Sequence, residues 1–323
     1  MDSRDQRDWQ LDLGANRIGS SVVRFRVWAP RAKRVFVQVL DQGRDPFPME
    51  PRERGYFDLR VEGVRAGARY RYVLDDEKVR PDPAARFQPD GVHEASAVVD
   101  PDSFRWTDRG WRGIGFKDLI IYELHTGTFT PAGTFEAIIP HLEYLKQDVG
   151  ITAIELMPVA QFPGTRNWGY DGTYLYAPQS TYGGPQGLKT LVNACHAAGL
   201  AVILDVEGNY LADFGPYFTD RYRTPWGDAI NYDGPDSDEV RHFMISNALY
   251  WVTEYHIDAL RLDAIHGIHD FSASHILQDL AAAVHEQAAR LGRQIFVTAE
   301  SALNDARVIT PPGLGGYGLD GQW

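Results

Sequence analysis

At 323 residues the chain is long enough for two domains with a sizeable core. Its 44 acidic against 32 basic side chains leave a formal charge of -12, which argues against nucleic acid or an anionic membrane as partner and suits a neutral ligand such as a glucan. The lone Cys195 excludes an internal disulfide and points to a buried, inert thiol in a cytoplasmic setting. The charged N-terminus is unlike a signal peptide, and no run approaches the roughly 18 apolar residues of a spanning helix.

Residues 1–112 read as all-β, with strands predicted over 22–28, 34–40, 56–61 and 69–74. Several of them alternate polar and apolar residues between closely spaced turn signals, the pattern of a small immunoglobulin-like β-sandwich. Pro81 and Pro83 mark an exit loop, and 101–117 a linker.

Over 113–323 the pattern changes to strand, loop and helix in repetition. Apolar runs at 119–125, 153–157, 201–206, 259–263 and 295–299 predict five parallel strands. Between them, helices are predicted near 135–149, 186–198, 238–255 and 273–291, with Asp236 and Ser272 as starts and Gly199 and Gly292 as stops. The fold class is therefore α/β, a (β/α)8 TIM-type barrel of which about five strands are present, or a doubly wound sheet. Long loops rich in Trp, Tyr, Gly and Pro after the second and third strands favour the barrel, with a carbohydrate cleft on its upper face. Eight strands need about 250 residues, so the chain is expected to be a portion of a longer protein. Gly315–Gly318 is not flanked by a strand and a helix in the manner of a nucleotide loop and reads as a flexible active-site loop.

Two carboxylates close apolar runs, Asp263 after Ala259-Leu-Arg-Leu and Glu300 after Ile295-Phe-Val-Thr-Ala. Strand ends are where parallel barrels place their chemistry. A retaining glycosidase needs one ionised and one protonated acid, and Arg261, two residues before Asp263 on the same strand face, would hold Asp263 ionised. Without more context an Arg-x-Asp at a strand end is as often a structural ion pair. Glu300 one βα unit later and the aromatic Trp168-Gly-Tyr170 loop favour a catalytic site. Trp168 alone fits loop core or sugar platform equally. Asp205, at another strand end, reads as a hydrogen-bonding support for Arg261. Glu123 and His125 fit a site wall or barrel packing. His266 and His269 lack companion ligands at metal spacing, so no metal and no cofactor is expected.

The segments 122–131, 155–172, 261–266, 299–301 and 316–323 resemble the alpha-amylase superfamily of glycoside hydrolases, and within it the branch that releases trehalose from trehalose-capped maltooligosaccharides. The N-terminal region resembles the glucan-binding-type module of that superfamily. The resemblance implies that Asp263 is the nucleophile and Glu300 the acid/base, with Tyr170 an aromatic platform and Trp168 beside it. It places His266 on the leaving-group side and an α-glucan as substrate, with a monomer the default state. Its closest rival is glycosyl transfer to a glucan hydroxyl, as in branching enzymes; a non-catalytic glucan-binding remnant is a third reading. Two departures stand out. About seven residues of the third-strand motif are missing between Val206 and Glu207, and the sequence stops at Trp323 before the segment with the family's third acid. Loss of one preorganised group costs about 10²-fold or more, so the 323 residues alone are expected to be nearly inactive.

Overall fold

The computed structural model describes residues 9–43, 45–206 and 213–323. The departure expected after Val206 falls on 207–212 and so lies outside the described residues.

Two antiparallel sheets form the N-terminal sandwich. One contains β1 (Gly14–Arg17), β2 (Val22–Trp28) and β4 (Tyr56–Glu62), the other β3 (Val35–Val39), β5 (Arg69–Leu74) and β6 (Lys78–Arg80). Alternation decides which face is buried: Val23, Phe25 and Val27 meet Tyr70, Tyr72 and Leu74 in the core, with Phe25 and Tyr70 edge-on at 5.0 Å.

The second sheet is wholly parallel. It runs β7 (Ile121–Leu124), β8 (Ala153–Leu156), β9 (Ala201–Val206), β10 (Ala259–Leu262), β11 (Phe296–Ala299) and β12 (Gly321–Gln322), each beside its predecessor. This is a half-barrel. The sixth strand departs from the five expected: the stretch after Gly318 leaves its turn and pairs with β11. The outward residues Ile154, Leu156, Val202, Leu204, Leu260 and Val297 are fully buried, the expected consequence of helices covering a parallel sheet.

Three long helices provide the cover: α1 (Gly184–Ala198), α2 (Ser237–Glu254) and α3 (Ile276–Leu291). Gly199 and Gly292 end α1 and α3 in the left-handed conformation, as their positions predict. One start falls where expected and the other does not. Asp236 precedes α2 at φ 61° without a side-chain cap. His275 rather than Ser272 caps α3, because the Ser272 hydroxyl bonds Asp270 instead. The helix expected over 135–149 is divided into short α, 3-10 and π segments, with Pro140 lacking the N–H that a continuous helix requires. Among the described residues no helix is long and apolar enough to cross a membrane. Cys195 is buried in α1, and burial pushes its thiol well up.

The 101–117 segment does more than link. Trp111 and Ile114 pack on Ala153, Ala201, Ile203 and Ala259, closing the lower interior of the half-barrel.

Candidate active site

Side chains alternate across a strand, and the register is continuous from β7 to β11. The inward positions therefore read Glu123 and His125, Glu155, Asp205, Arg261 and Asp263, then Thr298 and Glu300. Apolar residues fill the lower layer and charged ones the upper. Asp205 stands directly across from Arg261.

Arg261 binds two acids through one nitrogen, donating from Nη1 to Asp205 Oδ2 at 2.5 Å and to Asp263 Oδ1 at 2.8 Å. Tyr170 donates its hydroxyl to the same Asp205 oxygen at 2.9 Å. Burial raises Asp205 to about 7 although Arg261 and Tyr170 both oppose it. Asp263 is also raised: burial outweighs the lowering by Arg261, and the neighbouring Glu300 adds to the rise. The arginine thus restrains the shift rather than depressing Asp263 below the usual carboxylate range.

Glu300 is tied to the segment after Asp263 at both backbone and side chain. Its Oε2 accepts from Ala264 N at 2.7 Å, its carbonyl accepts from Ile265 N, and its own N–H donates to Leu262. Ala264 adopts φ 45°, ψ 45°, a left-handed conformation that costs a non-glycine residue about 1–2 kcal/mol. That bend turns its N–H toward Glu300.

Tyr170 reaches the pocket from a loop pinned on several sides. His125 Nε2 donates to Asn167 O at 2.7 Å, and Asn167 Oδ1 accepts from Gly169 N at 2.7 Å. Gly169 sits at φ 110°, where a Cβ would lie 2.3 Å from the Pro158 carbonyl, so only glycine fits. Trp168 is 75% exposed, which rules out a place in the loop core. His266 is half-buried and tilts against Trp226 at 5.8 Å, its Nδ1 without a hydrogen-bond partner. His269 stacks on Tyr222 instead.

The structure thus brings Asp205, Arg261, Asp263, Glu300 and Tyr170 together, with His266 at the margin and Trp168 facing outward. Two contributors went unassigned in the sequence, and a third, His125, was read only as site wall or barrel packing. Glu155 was visible there as a single charge in an apolar strand. Ala264 acts through its backbone, and the hold of His125 on Asn167 joins residues far apart in the chain; neither leaves a signature in sequence.

Residues 98–236 match the alpha amylase catalytic domain, and 12–101 match carbohydrate-binding module 48, the isoamylase N-terminal domain. The chain belongs to the alpha-amylase superfamily of glycoside hydrolases. Within it, the chain is 50% identical over 308 residues to the malto-oligosyltrehalose trehalohydrolase of Saccharolobus solfataricus, covering 93% of this chain and 53% of that protein. A 1,4-alpha-glucan branching enzyme from Pseudoalteromonas atlantica is more distant, 30% identical over 97% of this chain and 49% of its own. A 1.4 Å crystal structure of a protein from Salmonella typhimurium superposes with a TM-score of 0.84 at 45% identity, covering 90% of this chain and 50% of that one. The chain spans about half the length of the curated relatives it matches.

Proposed function

We propose that this chain carries the catalytic face of a retaining glycosidase that cleaves the α-1,4-glucosidic bond next to the terminal trehalose of maltooligosyltrehalose, releasing trehalose as a step of trehalose biosynthesis. The observation that carries the reading is Arg261 bridging Asp205 and Asp263 at adjoining strand ends, with Glu300 fastened beside them through Ala264 N. The Asp263 carboxylate attacks the anomeric carbon while Glu300 gives its proton to the departing glycosidic oxygen. Glu300, now a carboxylate, takes a proton from water, whose oxygen displaces Asp263 from the anomeric carbon. Tyr170 offers a ring face beneath the sugar, Trp168 a second aromatic surface, and His266 a polar contact on the leaving-group side. Residues 1–112 serve as the glucan-binding-type module and 113–323 as the catalytic part, in a cytoplasmic protein.

The protein purified from its native source is to be incubated with maltotriosyltrehalose and its products resolved. The proposal expects free trehalose with the α configuration retained in the other product. It further expects Asp263→Asn and Glu300→Gln each to lower turnover by roughly 10³-fold or more. Transfer to longer glucans without trehalose would establish the branching alternative, and unchanged turnover in either variant would remove that residue from the chemistry.

A further inference from the structure

The barrel interior beneath Asp263 holds more acid than base. Register sets Glu123 beside Glu155 across β7 and β8, and Asp205 beside Arg261 across β9 and β10, with alternation turning all of them inward. Carboxylates directly opposite on neighbouring strands repel, and a buried acid lacking its own cation tends to give up its charge. Arg261 divides itself unevenly among these groups. Its Nη1 serves Asp205 and Asp263, whereas its buried Nε has no hydrogen-bond partner. The acid beside Nε is Glu155, whose Oε1 lies 3.8 Å away. Glu155 is 3% exposed, in a strand otherwise made of alanine, isoleucine and leucine.

We propose that Glu155 is a positioning residue for Asp263: as a neutral acid it leaves the Arg261 charge to the nucleophile, and as a carboxylate it draws the guanidinium toward its Nε side. The inference rests on the reading of Asp263 as nucleophile. The groups facing Glu155 are Glu123 on β7, Asp205 on β9 and Arg261 on β10. Burial pushes Glu155 up to about 7, Arg261 opposes the rise, and Asp205 and Glu123 add to it. Exchange between its two states therefore falls near neutral pH. No bond is made or broken in this role beyond the loss of one proton to solvent.

The test needs no turnover. The Arg261 Nε–Hε resonance of the ¹⁵N-labelled protein, assigned by its loss in Arg261→Lys, is followed from about pH 5.5 to about pH 8.5, a range that brackets the Glu155 value and lies above ordinary carboxylates. The proposal expects a single movement with its midpoint at about 7. In Glu155→Gln, where the amide copies the neutral acid, the resonance is expected to lose the larger part of that movement and keep only what Asp205 transmits through Nη1. A flat resonance in the parent protein overturns the proposal, whatever the fold of the variant. A movement of undiminished size in Glu155→Gln assigns the proton to Asp205 alone and overturns it equally. The glycosidase reading fails by a separate route, if Asp263→Asn keeps parental turnover.

Discussion

Strand β10 is flanked by aspartates, Asp258 before it and Asp263 after it, and the two ends of this one element obey opposite rules. At the lower end, Asp258 accepts from Trp111 Nε1 (2.7 Å), Arg293 Nη2 (2.8 Å), Val202 N (2.9 Å) and His196 Nε2 (2.9 Å). Those donors hold its carboxyl below the ordinary value although burial acts in the other direction. At the upper end, Asp263 receives Arg261, and its carboxyl lies above the ordinary value. Burial is common to both. The number of donors turned toward each carboxylate decides the sign of its shift, so the lower carboxyl holds its charge more firmly than the upper.

Neutralising each aspartate in turn separates the two ends most strongly. An asparagine at 258 offers one acceptor oxygen to four donors and turns its NH₂ toward two of them. It also leaves Arg293 and His196 short of a counter-charge. Asp258→Asn is expected to cost about 3–5 kcal/mol, the cost of breaking a buried ion pair. Asp263→Asn is expected to change stability by less than about 1 kcal/mol, because Arg261 keeps Asp205. Urea denaturation of both variants checks the difference, and equal losses would end the distinction between the two clusters.

A smaller effect follows from the pH dependence. Asp205 and Glu155 are each raised to about 7, so between the unfolded carboxylate range near 4 and that value the folded chain binds protons that the unfolded chain has released. Their stabilising contribution is complete below the unfolded range and is lost as pH rises through about 7. His196 is raised by its bonds to Asp108 and Asp258, against burial, and its contribution is likewise lost on the alkaline side. Asp258 behaves in reverse: its contribution is present above the unfolded range and is lost only as pH falls through its lowered value. The melting temperature is expected to decline from about pH 5 to about pH 8, and Glu155→Gln with Asp205→Asn to flatten that decline by a few °C. An unaltered slope would show that the upper cluster exchanges no protons in this range.

Much of this arrangement was legible in the chain, and the misses have physical causes. Asp263 and Glu300 stood out because a carboxylate ending an apolar run needs a reason to be there, and Arg261 supplied one through strand parity alone. Strand β12 stayed hidden because two residues, one of them glycine, carry no periodicity. What fixes it is tertiary: Asp320 accepts from Val297 N through its side chain and donates its own N–H to the Val297 carbonyl. The apolar layer beneath the site was equally invisible, since the linker residue Trp111 meets β8, β9 and β10 only after the barrel has formed. His196 likewise gains its meaning from Asp108 and Asp258, far from it in sequence.

The finest test removes a single donor from the upper cluster. Tyr170→Phe keeps the ring and deletes the hydroxyl that reaches Asp205 Oδ2. Asp205 Oδ1 already lacks a partner, so the variant leaves the carboxyl to Arg261. The lost hydrogen bond is expected to cost about 1 kcal/mol, or roughly 2–4 °C in melting temperature. The Tyr170 hydroxyl also lowers Asp205, so its removal should move the Asp205 titration further up, and with it the alkaline loss of stability. If the melting temperature falls while the titration stays in place, the hydroxyl only packs the loop. If both move together, Tyr170 tunes Asp205 as well as presenting its ring, and the upper cluster owes its proton exchange to having few donors.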